Sequence, residues 1–421
     1  MTMPVGILCW NISNLGGSAA PKHPDYIANV VQAAEPQFIV LIEVLSDESE
    51  DRGKLLPTDP GPQECLTKRT EIQTYFPAGD WKLVPPLHTG LREAVAVFYD
   101  SNHWYFTGPN IWTGTSEKPD PKKTLAGYQR DFADAMGNRK IPDDAFHNPG
   151  LRENQCAARV AYSDSAGNVL EAVGGPKKHA PYVTTFAAVD KPGKVRKSVS
   201  IIAVHGSRGK ESADYIRSLA RVAEIAEDLH DGEVRLVLGD FNLNSVQLDK
   251  TDGRVKYNTE FNTLIDDPLR YTLLLKATDS VHTVGVFGGY PSRFSTSLRR
   301  GAAASLWPRS NNETTRYPGY FYTKDVNDHF SLDNSYIKSR GVSLEGANLT
   351  ILNPVVGAPY TDVFPLDEEH LRLRKLVASG YQITAESEGN RPKSSAVEAK
   401  FRAAYQPFYE TSDHLPILIE F

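Results

Sequence analysis

The sequence predicts a mixed α+β fold elaborated around one core. Three observations carry that prediction. Short apolar, β-branched runs of strand length recur along the chain. Between some of them lie stretches whose apolar residues repeat at helical spacing. Three long excursions rich in Pro, Gly, Asn and charge break the rhythm, yet no shift in composition marks a linker.

The strand-like runs are residues 5–12, 37–43, 94–99, 182–189, 199–205, 234–239, 334–338 and 415–421. Between the first two, Ile27, Val30, Val31 and Ala34 fall on one helix face, which Pro24 can start and Pro36 stops. A second helix is expected over about 212–230. Its stripe is Ile216, Leu219, Ala223, Ala226 and Leu229, with Ser212 as N-cap and Gly232 as stop. The excursions are 101–155, 285–330 and 354–410, with further helices expected at 366–379 and over Glu398–Tyr405 inside the last. The organisation expected is a single domain spanning 1–421 with these three insertions.

With 421 residues the chain is long enough for a large core or for two or three domains. Its 46 basic against 52 acidic side chains leave a net charge of −6, so no protein-wide positive field draws it to a polyanion. Contact with phosphates must then come from local patches or a bound cation. Cys9, Cys65 and Cys156 are too few and too scattered for a disulfide framework or a structural zinc. No run approaches a membrane span, and apolar Val5–Trp10 follows the start without the regions of a secretory signal. The expectation from these features is a cytoplasmic protein.

Chemistry-bearing residues cluster where the apolar runs end, and a strand end holds a side chain rigidly at the rim of a core. The first run ends in Trp10-Asn11-Ile12, the second in Ile42-Glu43-Val44, the fifth in Val204-His205-Gly206 and the sixth in Gly239-Asp240-Phe241-Asn242. Glu93 precedes the third, and Ser412-Asp413-His414 precedes the last. Brought together, these ends would offer oxygen donors to a hard divalent cation and two imidazoles for proton transfer.

The ordered set WNISNLGG, LIEV, LREAVAVFY, AVHGSRG, LGDFNLNS, LDNSYI and SDHLPI resembles the endonuclease/exonuclease/phosphatase superfamily, in particular its DNase I-like branch. The resemblance implies a four-layer αββα sandwich of two mixed sheets with outer helices, its site opening at one edge between the sheets. It also implies roles. Glu43 resembles the principal metal-ligating glutamate, with Asn11 as partner and Asp413 beside the metal. Asp240 and Asn242 resemble the pair that orients the nucleophile and contacts the scissile phosphate. His205 and His414 resemble the catalytic histidines, held by Glu93 and Asp333 respectively. The implied cofactor is Mg²⁺, with Mn²⁺ as a substitute. A carboxylate on the far nitrogen of a histidine fixes its tautomer and favours the protonated form, so two such pairs supply a base and an acid. The sequence does not distinguish which histidine takes which role.

Each of these residues alone has an ordinary explanation, as a solvated rim carboxylate, a turn Asp or Asn, or a structural histidine. Their joint order on the runs is what the ordinary explanations do not supply. Asp328-His329 is set aside because no apolar run follows it. His179 and His282 read as solvated loop histidines. Tyr317, Tyr320, Phe321 and Tyr322, near Arg293, Arg299, Arg300, Arg309 and Arg316, read as a packed loop with a basic rim, with a stacking surface for nucleic acid as the alternative. Two positions depart from the family pattern. Lys177-Lys178-His179 stands where an Arg contacts DNA phosphates, and Leu91 stands where a Tyr is expected.

The function expected is that of a metal-dependent phosphodiesterase, an endonuclease with DNA as its partner and no protein partner implied. The alternatives are a phosphatase or phosphodiesterase acting on a small molecule or lipid headgroup, and a binding module that has kept the fold without the chemistry.

Overall fold

The computed structural model describes residues 4–15, 24–45, 76, 79, 81–84, 87–108, 158–190, 194–243, 245–248, 255–275, 333–359, 412 and 414–421. In chain order the strands are β1 (Gly6–Leu15), β2 (Phe38–Leu45), β3 (Trp81–Leu83), β4 (His88–Gly90), β5 (Glu93–Asp100), β6 (Tyr105–Gly108), β7 (Arg159–Val160), β8 (Tyr182–Asp190) and β9 (Lys194–His205). There follow β10 (Glu233–Asp240), β11 (Val246–Leu248), β12 (Val255–Tyr257), β13 (Thr272–Leu273), β14 (Asp333–Ser339), β15 (Asn348–Ile351) and β16 (Ile417–Glu420). One sheet runs β15-β16-β1-β2-β5-β3 with β4 against β5. The other runs β13-β14-β10-β9-β8-β6 with β7 against β8, and β11-β12 is a separate hairpin.

Both sheets are mixed. Each contains one parallel pair, β1 with β2 and β9 with β10, flanked by antiparallel neighbours. A parallel pair needs a crossover, and a helix supplies it in both sheets. Helix α1 (Pro24–Ala34) joins β1 to β2, and α2 (Ser212–Leu219) with α3 (Ala223–Ala226) joins β9 to β10.

Alternation along the strands sorts the apolar residues into three layers of packing. Ile7, Val40, Ile42 and Val97 of the first sheet meet Phe186, Ile201, Leu236 and Ile337 of the second in the core between the sheets. Outside the first sheet, Ile27, Val30 and Val31 of α1 cover Leu8, Trp10, Ile39 and Leu41. Outside the second, Ile216, Leu219, Val222 and Ile225 cover Ile202, Val204 and Val237. The result is the αββα order of layers.

The helix expected over 212–230 is instead two short helices. Ala223 N–H donates to Ser163 C=O at 2.9 Å rather than to the helix carbonyl four residues back, and Val222 is extended in ψ. The break lets Val222 and Ile225 both reach the core. Ser212 is not an N-cap; its hydroxyl donates to Ser207 O at 2.7 Å and to Gly209 O at 2.9 Å from inside the first turn. The first excursion also starts later than expected, because Tyr105–Gly108 forms the edge strand β6 against β8. Most of 101–155, all of 285–330, and 360–410 with its two expected helices lie outside the described residues. Cys9 is buried and free, so it acts as core packing. Among the described residues, no helix is long and apolar enough to cross a membrane.

Candidate active site

The parallel strands β1, β2, β9 and β10 place their C-terminal ends at one edge of the sandwich, while β5 and β14 start there. Register then sets the neighbours. Asp240 stands beside His205 on β9 and beside Asp333 on β14. Asn11 lies near the end of β1 and Glu43 near the end of β2.

Glu43 reaches the site through a backbone irregularity. Phe38, Val40 and Ile42 face the inter-sheet core, while Ile39, Leu41 and Val44 face α1. Glu43 is thus an extra residue in the alternation, at a register shift between Leu41 and Val44, and it adopts φ of 57°. A bulge of this kind re-aims one side chain. A left-handed conformation at a non-glycine residue costs roughly 1 kcal/mol or more, which the surrounding ladder must hold in place.

Close approach of the backbones calls for glycine at two points. At Gly239, φ is 134°, and an added Cβ would lie 2.3 Å from Val204 O and 2.7 Å from Ile42 Cδ1. At Gly206 it would lie 2.2 Å from Phe241 O. Gly206 lets the end of β9 approach the turn that follows β10, and Gly239 lets β10 approach both β9 and Ile42 of the first sheet.

Two histidine–carboxylate pairs face one aspartate. His205 Nδ1 lies 2.7 Å from Glu93 Oε2, and His414 Nδ1 lies 2.7 Å from Asp333 Oδ2. Their Nε2 atoms lie 3.8 Å and 3.6 Å from the same Asp240 Oδ2. His205 Nε2 is also 3.2 Å from Glu43 Oε1. The Asn11 amide nitrogen donates at 3.0 Å to both Glu43 Oε1 and Asp240 Oδ2, so it spans the two carboxylates. Asn242 is anchored through its backbone N–H to Asp240 Oδ1 and through its amide to Gly206 O, each at 2.8 Å. The last motif is fastened to the first strand: Trp10 Nε1 donates to His414 O at 2.8 Å, and Ser412 Oγ donates to Asn11 O at 2.6 Å.

The electrostatics are those of buried charge compensated by opposite charge. Burial would raise the Glu43 carboxyl, but the hydrogen bond and charge of His205, the charge of His414 and the Asn11 amide outweigh it and hold Glu43 well below the usual carboxylate range. Burial would lower His205, but Glu93 and Glu43 outweigh it and push the imidazole up to about 10. Glu43, His205 and Asp240 present ligand atoms within 4.8 Å of one another, and so do Asp240, Asp333 and His414. Two almost fully buried carboxylates, Glu43 and Asp240, joined through one amide, are a donor set that fits a hard divalent cation. Asp413 lies outside the described residues.

Sequence reasoning missed two neighbours of this cluster. Arg208, largely exposed, places Nη2 3.2 Å from Glu43 Oε1. His179, read as a solvated loop histidine, is instead buried, its ring stacked on His205 with centroids 4.5 Å apart and planes at 19°. Burial, with the charge of His205 beside it, lowers His179 to about 3. No local feature of the sequence marks it, because the groups that hold it, the Gly90 backbone and the Tyr215 hydroxyl, are remote in the chain. Lys178 in that stretch is paired with Glu211. His282, Asp328-His329 and the Tyr317–Tyr322 aromatics lie outside the described residues.

No family model matches the sequence, and no curated protein matches it. Among solved structures, truncated TDP2 of Caenorhabditis elegans aligns at 11% identity over 99% of this chain and 97% of its own, with a TM-score of 0.40. A mannosyl-6-phosphatase of Bacteroides thetaiotaomicron aligns at 10% identity over 99% and 98%, with a TM-score of 0.38. The human Nocturnin catalytic domain aligns at 11% identity over 99% and 93%, with a TM-score of 0.38. The chain is similar to these structures at 11% identity or less, and its own two mixed sheets carry the ordered residues at their strand ends.

Proposed function

We propose that the chain is a divalent-metal-dependent phosphodiesterase whose substrate is DNA, cut internally as by an endonuclease. The observation that carries this reading is the meeting of two histidine–carboxylate pairs on Asp240 Oδ2, at 3.8 Å from His205 and 3.6 Å from His414. Hydrolysis of a phosphodiester needs a water aligned with the leaving oxygen, a proton acceptor on one side and a donor on the other. Asp240 orients the water. One histidine takes the proton and the other supplies one to the departing alkoxide, each held in its tautomer by its carboxylate. Asn242, whose amide donates to Gly206 O, would offer its second N–H to a non-bridging oxygen. Glu43, with Asn11 and Asp413, would hold Mg²⁺ or Mn²⁺, which when bound offsets charge growing on the phosphoryl oxygens.

One observation favours a second reading, a phosphomonoester or lipid phosphate as substrate. In the stretch before β8, Lys178 is paired with Glu211 and His179 is buried, so this stretch presents no arginine to a duplex backbone. The deciding experiment is a panel of supercoiled plasmid, single-stranded DNA, RNA and phosphoinositides with Mg²⁺ and with EDTA. Metal-dependent nicking of the plasmid is expected. Release of inorganic phosphate from the phosphoinositides without nicking would replace the first reading by the second.

A further inference from the structure

On the face of His205 turned away from Asp240, three ligating side chains converge that the hydrolytic reading does not use as a group. Glu93 Oε2 lies 2.7 Å from His205 Nδ1 and 3.5 Å from His179 Nδ1. Ligand atoms of all three residues lie within 4.8 Å of one another. Ligands of a tetrahedral ion with bonds of about 2.0–2.1 Å stand roughly 3.3 Å apart, and the two measured separations bracket that spacing. The His179 and His205 rings are adjacent, with centroids 4.5 Å apart, and each places its Nδ1 near the same Glu93 oxygen.

His179 Nδ1 is buried and has no hydrogen-bond partner, although its side chain is only 10% exposed. A buried ring nitrogen aimed at a carboxylate is costly unless something bridges the two. The ring is held in place for that purpose. It hydrogen-bonds to the Gly90 backbone, Tyr215 Oη donates to His179 O at 3.2 Å, and Ala180 N donates to Thr89 O at 2.9 Å. A second bond from a ligating histidine to the backbone is how metal sites fix the ring.

We propose that Glu93, His179 and His205 form a binding site for a borderline-soft divalent ion of the Zn²⁺ class, and that its occupancy silences His205. Two imidazoles and one carboxylate select such an ion over Mg²⁺, whereas the oxygens at Glu43 suit Mg²⁺. Coordination at His205 Nδ1 replaces the hydrogen bond to Glu93. The binding stands on the geometry alone; the inhibition rests on the hydrolytic reading above.

The test uses the full chain stripped of metal, with Co²⁺ as the spectroscopic probe. One equivalent of Co²⁺ is expected to give a visible d–d band that Zn²⁺ abolishes and millimolar Mg²⁺ does not. Affinity should fall about tenfold or more in His179→Gln and in Glu93→Gln, and persist in Glu43→Gln. Using both of the first two variants keeps the test decisive if one fails to fold. No band, a band unchanged in both variants, or one lost only in Glu43→Gln overturns the site. In the activity arm, Zn²⁺ should inhibit Mg²⁺-supported hydrolysis, with its half-inhibitory concentration raised at least about tenfold in His179→Gln relative to that variant's own uninhibited rate. An equal half-inhibitory concentration overturns the inhibitory role. Absence of any Mg²⁺-dependent hydrolysis counts against the hydrolytic reading, while the Co²⁺ measurements still decide the site.

Discussion

His414 Nδ1 lies 2.7 Å from Asp333 Oδ2, although the two residues are 81 positions apart in the chain. Asp333 opens β14, His414 precedes β16, and these strands belong to different sheets, so the contact closes the sandwich at the site edge. His205 and Glu93 repeat the relationship in the opposite sense, with the histidine on the second sheet and the carboxylate on the first. Each sheet therefore lends one histidine or its preface and takes a carboxylate from the other.

That reciprocity predicts similar costs for breaking either pair. Asp333→Asn and Glu93→Gln keep the shapes but no longer favour the protonated imidazole or fix its tautomer. Each should lower kcat by roughly 100- to 10,000-fold. Far-UV circular dichroism should be unchanged. His205→Ala and His414→Ala should abolish turnover, and unchanged hydrolysis in both would refute the proposed chemistry.

Metal removal separates Glu43 from the histidines. EDTA should stop hydrolysis and Mg²⁺ restore it. Glu43→Gln should raise the Mg²⁺ concentration for half-maximal rate by at least about tenfold, because an amide replaces the anionic oxygen. Saturating Mg²⁺ should recover part of the rate in this variant and none in His205→Ala. Equal Mg²⁺ dependence of the wild type and Glu43→Gln would remove Glu43 from the metal.

The convergence of Asn11, Glu43, His205 and Asp240 was legible because each sits at the end of an apolar run, and parallel runs joined by helices end on the same side. The bulge that turns Glu43 inward was not legible, since an αL residue leaves no trace in an apolar pattern. His179 was misread for a related reason. A histidine in a polar stretch before a strand looks solvated, and only Gly90 and Tyr215, remote in sequence, hold its ring and backbone inside. The helix break at Val222 depended on Ser163, a partner that no local periodicity reveals. Short edge strands such as β3, β6 and β15 were missed because pairing, rather than composition, defines them.

At the end of the second sheet away from the site, Lys338 of β14 pairs in register with Arg235 of β10 and lies over the Tyr271 ring at 4.6 Å. Burial and the Arg235 charge lower its pKa from 10.5 to about 8, although Glu233, Asp228 and Glu227 pull the other way. The unfolded chain then binds more protons than the folded one between about 8 and 10.5, so this group makes stability rise with pH across that window. Lys338→Met should flatten that rise and unfold at a higher temperature than the wild type at pH 7. Thermal melts of both proteins from pH 7 to 10.5 check it; parallel curves would contradict the shifted lysine.

Gly239 tests whether the site depends on close contact between the sheets. Its φ of 134° suits glycine alone, and a Cβ there meets both Val204 O on the neighbouring strand and Ile42 Cδ1 on the facing sheet. The backbone contact cannot be relieved by a rotamer change, so Gly239→Ala must move β9 and β10 apart or push Ile42 away. Either shift carries through Asp240, the next residue, and alters its distances to both histidines. The expected loss is about 2–4 kcal/mol of stability, combining overpacking with backbone strain. Ile42→Val shortens the facing side chain and should relieve only the sheet-to-sheet part, restoring some stability in the double variant and little of the rate. Urea unfolding and initial rates on the four proteins of this cycle separate the two contacts. Full recovery of both in the double variant would show that packing against Ile42, and not the strained backbone beside Asp240, sets the geometry of the site.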